Sequence, residues 1–378
     1  MIEIDDTAPG LTSIAVIPPV PPNLLESLEG LALSRGWVVG GRILPGVDQT
    51  GGRFSVGYEC KSTDGQIAFM KTIDLSEALG EPDLIRALNM LTDAVQCEIE
   101  LLQETKRMSR VVTALDFDNL REIRGVRLQV PIPYIIFERA TGNARSVVKA
   151  SAKPKHSWCM AMLHNVATGL QQLHKRDIAH LDLKPSNVLL FEGDAGAKVS
   201  DLGRSIRKGR AVWYDAVSWP GDSNYAPPEV VYGFHSAEFN VRRLAADLFL
   251  LGNFASVLIC SVPMNTLIYD QIPKDLRPAL LGGNYSGTFE NALPHLRAAF
   301  VNALDRVAQE IPLDAPYRDA FLRMITHWCE PDPLLRGHPE TRARYAAGGN
   351  IYELERYVSA LPNLMMHARA FEGRRNAT

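Results

Sequence analysis

The sequence predicts a bilobal α+β fold, in which a small β-rich lobe with one long helix precedes a larger, mostly helical lobe. First, residues 37–74 contain three strand-like runs separated by Gly, Asp and Gln turn residues. Second, a long helical stretch and two more strand-like runs follow, and helical periodicity dominates after Thr141. Third, 378 residues are enough for a two-lobed unit with a sizeable core.

Four segments are expected along the chain. Residues 1–36 form an N-terminal extension that holds the proline cluster VIPPVPPN and a short helix around LLESLEGLAL. Residues 37–140 form the smaller lobe, residues 141–345 the larger lobe, and residues 346–378 a C-terminal helix with a basic tail. The hinge between the lobes is expected near Glu138–Asn143.

The smaller lobe is predicted from alternating strand patterns and one long helical run. Asp64-Gly65 is a strong hairpin signal between the second and third strands. The strands are read in WVVGGRILPG, GGRFSVGYECKS, IAFMKTID, RVVTALDFD and PYIIFERA, and the helix in EPDLIRALNMLTDAVQCEIELLQETKRM. In the larger lobe, HSWCMAMLHNVATGLQQLHK places its apolar residues on one helix face, and residues 180–204 form a short β-loop region.

Composition and charge favour a cytoplasmic protein. A net charge of −3 argues against a dedicated partner of nucleic acid or of an anionic membrane. The five cysteines are scattered without CxxC spacing, which is typical of buried thiols in a reducing compartment. The most apolar stretch, residues 244–262, contains Asp247 and Asn253, so we expect a buried core helix there and not a membrane span.

The run HLDLKPSN at residues 180–187, with DLG starting at Asp201, has the residue types that phosphoryl transfer requires. That reaction needs a positioned hydroxyl, metal ions on the phosphate oxygens and cations against the developing charge. Asp182 could accept or orient a hydroxyl proton, and Lys184 could neutralise the moving phosphoryl group. Asn187 and Asp201 offer the hard oxygen ligands that Mg²⁺ prefers.

HLDLKPSNVLL followed by KVSDLG resembles the catalytic loop and the metal-binding aspartate of protein kinases. The resemblance extends over roughly residues 40–345 and implies ATP and Mg²⁺ as cofactors. It implies Asp182 as the catalytic base and Lys184 at the γ-phosphate. It also implies Asn187 and Asp201 as the Mg²⁺ ligands.

The resemblance also implies a nucleotide site. AFMK resembles the strand that presents a phosphate-binding lysine, here Lys71. Its partner is expected in VQCEIELL, where the usual pattern selects Glu98, because Glu100 would point away on a helix. The other implied nucleotide contacts are Gly52 and Phe54 in an irregular Gly-rich loop, backbone groups of Glu138 and Ala140 after a gatekeeper Phe137, and Leu189.

Three later motifs agree with the same family. YAPPE resembles the end of the activation segment, and DLFLLG the buried helix whose Asp247 ties down the catalytic loop. DPLLR supplies Arg336, which is expected to pair with Glu229. An apolar spine across the lobes is assigned to Leu102, Leu115, His180 and Leu202.

Phe69 and Gly57 depart from the family pattern. The usual alanine two residues before the strand lysine is Phe69, and the usual valine of the second strand is Gly57. We hypothesise a volume swap in which the Phe69 ring fills the space that Gly57 leaves, because close packing does not tolerate uncompensated bulk.

The activation segment departs as well. Leu181 replaces the arginine that usually grips a phosphate, so activity is expected without phosphorylation of this segment. Asp222 stands where threonine usually contacts the catalytic residues; either it pairs with Lys184, or it faces solvent while Ser223 does that work. The cationic residues of the segment form either a solvated loop or a site for acidic substrate sequences: Arg204, Arg207, Lys208 and Arg210.

The sequence therefore predicts an ATP- and Mg²⁺-dependent serine/threonine protein kinase of the eukaryotic-like kind, from a soluble bacterial source. Its partner would be a protein substrate of unknown identity, with no nucleic acid, no membrane and an open oligomeric state. Two alternatives remain: a pseudokinase that binds nucleotide as a scaffold, and a small-molecule phosphotransferase. Phe69 and the irregular Gly-rich loop favour the scaffold, but the presence of all the expected catalytic residues argues against it. Lys184 argues against the small-molecule phosphotransferase.

Overall fold

A five-stranded antiparallel sheet forms the smaller lobe in a computed structural model that describes residues 24–44, 55–75, 78, 80–150, 153–192 and 196–375. The strand order is β1–β2–β3–β5–β4. Its strands are β1 (Trp37–Ile43), β2 (Ser55–Ser62), β3 (Ile67–Ile73), β4 (Ala114–Ile123) and β5 (Val126–Glu138). The predicted long helix is α1 (Leu84–Thr105), which begins after the N-cap Asp83.

The larger lobe is mostly helical, with five short strands near the hinge. A three-stranded sheet has the order β6–β8–β9, and β7 pairs with β10. These strands are β6 (Gly142–Asn143), β7 (Ile178–Ala179), β8 (Val188–Leu190), β9 (Ala197–Val199) and β10 (Ile206–Arg207). The helices are α2 (Ala144–Ala150), α3 (His156–His174), α4 (Pro228–Val231), α5 (Ala245–Cys260), α6 (Met264–Gln271), α7 (Phe289–Gln309), α8 (Arg318–Cys329), α9 (Pro339–Arg344) and α10 (Glu355–Arg375). The bilobal α+β prediction is confirmed.

The N-terminal segment differs from the prediction. Where a short helix was expected, the described residues form a single 3₁₀ turn at Leu24–Glu26. The chain then bends at Gly30, whose φ is +82°, and Ala32 pairs with Val38 of β1. Pairing with the sheet edge therefore supplies hydrogen bonds to backbone groups of this segment, in place of those of a helix. The proline cluster lies outside the described residues.

Helix α5 forms the centre of the larger lobe. All of its residues from Ala245 to Ile259 are buried. By length and composition alone, Asn240–Cys260 could cross a membrane, but 94% of its apolar window is buried inside the fold. Its apolar sequence is therefore accounted for by the protein core, as predicted. The polar Asn253 accepts a hydrogen bond from the backbone N–H of Asn265 and donates one to the Tyr225 carbonyl.

Helix α10 is the predicted C-terminal helix, and it packs along α3. Near its end, the Glu372 carboxylate accepts hydrogen bonds from the backbone N–H (3.0 Å) and the hydroxyl (2.6 Å) of Ser157. These bonds satisfy a backbone N–H in the first turn of α3 that has no partner within the helix. The C-terminal helix thereby forms part of the hydrophobic core of the larger lobe.

A buried ion pair joins α4 to the loop before α9. Arg336 is fully buried, and its two terminal nitrogens lie 2.7 and 2.8 Å from the two oxygens of Glu229. The guanidinium also donates to the carbonyls of Ala245 and Glu330 and stacks 5.0 Å above the Phe249 ring. This bidentate pair is the one expected from the sequence, and its donors are well satisfied.

Replacing Arg336 is expected to destabilise the larger lobe strongly. Arg336→Met leaves the Glu229 carboxylate buried without its partner, which should cost about 3–5 kcal/mol of unfolding free energy. Urea denaturation followed by circular dichroism measures this loss. The matched control is Arg297→Ala, which removes a half-exposed arginine from its pairs with Glu330 and Asp332 and should cost less than about 1 kcal/mol. Equal losses for the two variants would contradict the assignment.

Candidate active site

The loop after β7 is held in place by the buried carboxylate of Asp247. One oxygen accepts the backbone N–H of Leu181 and the other that of His180, both at 2.8 Å. The second oxygen also lies 2.8 Å from His174 Nε2. Leu181 has a φ of +64°, a conformation that a residue with a Cβ adopts only when its surroundings enforce it. Asp247 thus fixes the direction from which Asp182 enters the site.

Asp182, Lys184 and Asn187 form one hydrogen-bonded cluster. Lys184 Nζ lies 3.1 Å from Asp182 Oδ2, and Asn187 Nδ2 donates to that oxygen at 3.0 Å and to the Asp182 carbonyl at 2.8 Å. All three side chains are buried. Burial raises the pKa of Asp182, and the Lys184 ammonium only partly offsets this effect. The carboxylate is therefore oriented and more basic than an exposed aspartate.

Lys71 connects the two lobes. Its Nζ lies 2.9 Å from Glu98 Oε1 on α1 and 3.2 Å from Asp201 Oδ1 in the larger lobe. Burial lowers the pKa of Lys71, but the two carboxylates outweigh burial, so this pKa is raised above its usual value. Attraction to Lys71 lowers the pKa of Asp201. Lys71 therefore stays charged, and Glu98 meets it while Glu100 lies on another face of α1.

Asn187 and Asp201 fit the few protein ligands that Mg²⁺ takes beside a nucleotide. In the described part of the chain, no group of three His, Cys, Asp or Glu side chains is arranged to hold a metal ion. Mg²⁺, however, usually binds through one or two carboxylate-type ligands plus phosphates and water. The Asp201 side chain is 42% exposed and ionised, and it follows β9 while Asn187 precedes β8. Two oxygen donors that flank the paired strands β8 and β9 are sufficient for such a site.

The structure describes three of the five expected additional nucleotide contacts, Glu138, Ala140 and Leu189. Gly52 and Phe54 lie outside the described residues. The Glu138 carboxylate turns back to accept from the Thr113 N–H (2.7 Å) and from Lys198 (2.7 Å), which leaves only backbone groups of this residue for a ligand. Ala140 is half-buried just after β5, and Leu189 on β8 pairs with Asn143 across the start of the larger lobe.

The Phe69 ring occupies the space above Gly57. A Cβ built on Gly57 would lie 2.8 Å from Phe69 Cε2, closer than real side chains approach. Gly57 is paired with Lys71 in the sheet, so this contact lies beside the lysine of the site. The predicted contact between the two positions is present.

The expected apolar spine is confirmed at Leu102 and Leu202 and is wrong at Leu115, and the assignment of His180 stays a prediction. Leu102 and Leu202 are buried in the core cluster that joins α1 to the larger lobe, and His180 lies 2.9 Å from the Ser200 carbonyl. Leu115 instead packs against the separate core of the small lobe, while its neighbour Ala114 contacts the joining cluster. Successive strand residues point to opposite faces, so a shift of one residue reverses the assignment.

Asp222 pairs with Lys184, so the alternative in which it faces solvent is wrong. Its Oδ2 lies 3.3 Å from Lys184 Nζ, and its backbone N–H donates to Asp182 Oδ1 at 2.9 Å. The Asp222 side chain is 14% exposed, whereas Ser223 is exposed. The activation segment thus contacts the same carboxylate that the catalytic loop orients.

Of the cationic residues in the activation segment, Arg207 and Arg210 contact acidic residues of α1, whereas Lys208 is exposed as a solvated loop would have it. Arg210 Nε lies 3.2 Å from Glu100 Oε2, and Arg207 pairs with Glu104, both on α1. These two side chains are therefore partly exposed but paired with carboxylates of the protein itself. No local sequence pattern pairs these side chains, which lie 103 and 110 residues apart.

Comparison with known proteins agrees with this geometry. The family model for the protein kinase domain matches residues 50–275. The membrane-associated tyrosine- and threonine-specific cdc2-inhibitory kinase of Drosophila melanogaster is 27% identical over 218 residues, which are 57% of this chain and 33% of that protein. Calcium/calmodulin-dependent protein kinase type 1 of Macrobrachium nipponense is 26% identical over 71% of this chain and 74% of its own length.

A third relative is the serine/threonine-protein kinase DCLK1 of Rattus norvegicus, 26% identical over 79% of this chain and 62% of that protein. The chain thus spans from one third to three quarters of the length of these relatives. All three come from animals, and they give no support to the expectation of a bacterial source.

Substitutions at Gly57 and Phe69 are expected to be coupled. Gly57→Val should destabilise the protein by about 1–3 kcal/mol through overpacking against the ring. Adding Phe69→Ala should recover most of that loss, because the double variant restores a large side chain facing a small one. Thermal unfolding and titration with a fluorescent adenine nucleotide measure the two effects. Gly41→Val, on a strand residue with open space around it, is the control; additive losses in the double variant would reject the swap.

Proposed function

This chain belongs to the protein kinase family, and on that premise we propose that it transfers the γ-phosphoryl group of ATP to serine or threonine hydroxyls of a protein substrate. The observation that carries the proposal is the joint presence of two networks. One is the cluster of Asp182, Lys184 and Asn187, and the other is the Lys71 contact to Glu98 and Asp201.

In this proposal, Asp182 accepts the proton of the substrate hydroxyl. Its Oδ2 is held by Asn187 and Lys184, and its Oδ1 receives the backbone N–H of Asp222. Burial raises its pKa, which makes it a better base, and the Lys184 ammonium partly offsets this effect. Lys184 is placed to neutralise charge on the phosphoryl group as it moves.

Lys71 would hold the α- and β-phosphates, with Glu98 fixing its position. Asn187 and Asp201 would hold Mg²⁺, which neutralises phosphate charge when it is bound with ATP. The raised pKa of Lys71 keeps its charge in place for this role. Backbone groups of Glu138 and Ala140 would bind the adenine, above Leu189.

Preference for serine and threonine rests on Lys184 and on the relatives. One of the three relatives described above is named as a serine/threonine-protein kinase, and another is named as tyrosine- and threonine-specific. Asp222 replaces a hydroxyl side chain at the position that contacts Lys184. A tyrosine acceptor is therefore included in the test below.

Activity without phosphorylation of the activation segment is part of the proposal. Leu181 is completely buried in the apolar core, so this position supplies no cation to bind a phosphate. We also propose a cytoplasmic location. The scaffold alternative is weakened because every charged partner of the site is in place, and the small-molecule alternative because Lys184 contacts the base directly.

Phosphate transfer by the purified protein tests this function. With ATP and Mg²⁺, labelled phosphate should enter the protein itself and a mixture of Ser, Thr and Tyr peptides, predominantly on Ser and Thr. Asp182→Asn keeps the shape of the side chain but removes the base, and should lower the rate roughly 10²–10⁴-fold. Mass spectrometry identifies the acceptor residues. Nucleotide binding without incorporation would instead favour the scaffold.

Asp222 is expected to affect turnover more than nucleotide binding. Asp222→Ala removes one carboxylate from Lys184 but keeps the backbone N–H to Asp182, so kcat should fall roughly tenfold with little change in KM for ATP. Steady-state kinetics on a Ser or Thr peptide measure both parameters. Ser223→Ala, one residue further in an exposed turn, should behave like the wild type. An unchanged kcat for Asp222→Ala would show that the Lys184 contact is not used.

A further inference from the structure

One face of helix α1 carries a continuous stripe of residues that is separate from the face of Glu98. The members follow each other at intervals of three, four, three and four, so they lie in line on the helix surface. They are Met90, Asp93, Cys97, Glu100 and Glu104. Three of the five are acidic, and the stripe extends over about 21 Å of helix at 1.5 Å per residue.

The activation segment contacts this stripe along its whole length. Trp213 Nε1 donates to the Met90 carbonyl at 3.0 Å. Arg210 lies 3.2 Å from Glu100 and 3.4 Å from Asp93.

Two further contacts complete the match. Arg207 pairs with Glu104 at the end of the helix. The hydroxyl of Tyr214 contacts the thiol of Cys97, the residue next to Glu98. Every member of the stripe therefore has a partner between residues 207 and 214.

The segment that makes these contacts is itself fixed to the larger lobe. Ile206 and Arg207 pair with β7, and the backbone N–H of Lys208 donates to the Asp177 carbonyl at 2.9 Å. Tyr214 is buried, and its hydroxyl donates to the Ser205 carbonyl at 3.2 Å. The segment is thus an anchored support on which α1 rests.

We propose that Arg207, Arg210 and Trp213 are positioning residues that hold α1 where Glu98 meets Lys71, with no phosphate on the activation segment. The charges explain why none is required, since arginines of the segment neutralise carboxylates of the helix directly. Between residues 205 and 214 only Ser205 and Tyr214 carry a hydroxyl group, and both are buried, so neither is exposed to receive a phosphate. The inference rests on the proposed function, and it adds which residues set the active position of the helix.

A charge-exchange cycle on one pair tests the proposal. Arg207 and Glu104 are both partly exposed and contact each other, so they can be exchanged with little effect on packing. Arg207→Glu places like charges together and should lower kcat roughly threefold to tenfold. Combining it with Glu104→Arg should restore most of the activity. Lys208→Glu makes the same charge change on the exposed neighbour and should leave kcat unchanged.

Hydrogen exchange provides a readout that does not depend on activity. Arg207→Glu should increase exchange of the α1 amides, and the double variant should reverse the increase. This measurement separates the two proposals, because a wild-type protein that transfers no phosphate would leave the exchange result intact. Equal kcat and equal α1 exchange in wild type and Arg207→Glu would overturn the inference. A wild-type protein that is active only after phosphorylation of the segment would overturn it too.

Discussion

A single buried carboxylate organises the site from within the most apolar helix of the chain. An ionisable group in such surroundings is tolerated only when hydrogen bonds satisfy it, and Asp247 receives the backbone N–H groups of two consecutive loop residues. Because those bonds fix Leu181 at a positive φ, the loop has one conformation available. The packed core of the larger lobe thereby determines the position of Asp182, because Asp247 in that core holds the loop that carries it.

The two lobes share one apolar core cluster, and at the site they also meet through charges. Lys71 comes from the sheet, Glu98 from α1 and Asp201 from the larger lobe, so the network exists only when three independently packed elements are in register. The distances within this network therefore depend on the relative position of the two lobes. Arg207 and Arg210 contact α1 from the activation segment, so a second set of charges bears on the position of this helix.

Much of this arrangement could be predicted from the sequence, because the candidate site residues occur in short motifs whose spacing is fixed by the loop they form. Asp182, Asn187 and Asp201 are such residues, and Arg336 could be paired with Glu229, 107 residues away, because both lie in motifs of the protein kinase family. Side chains outside such motifs that meet across long sequence separations could not be paired, since no local pattern specifies them. Arg210 and Glu100 are 110 residues apart. Leu115 was misplaced because strand alternation allows no error of even one position.

The fit between Phe69 and Gly57 also constrains how this sequence can change over time. A larger residue at position 57 meets the ring, and a smaller residue at position 69 leaves the space beside Lys71 unfilled, so each substitution is disfavoured while its neighbour is retained. The two positions should therefore be inherited as a unit. Among descendants of this protein, an aromatic residue at 69 and glycine at 57 are expected to be kept together or lost together.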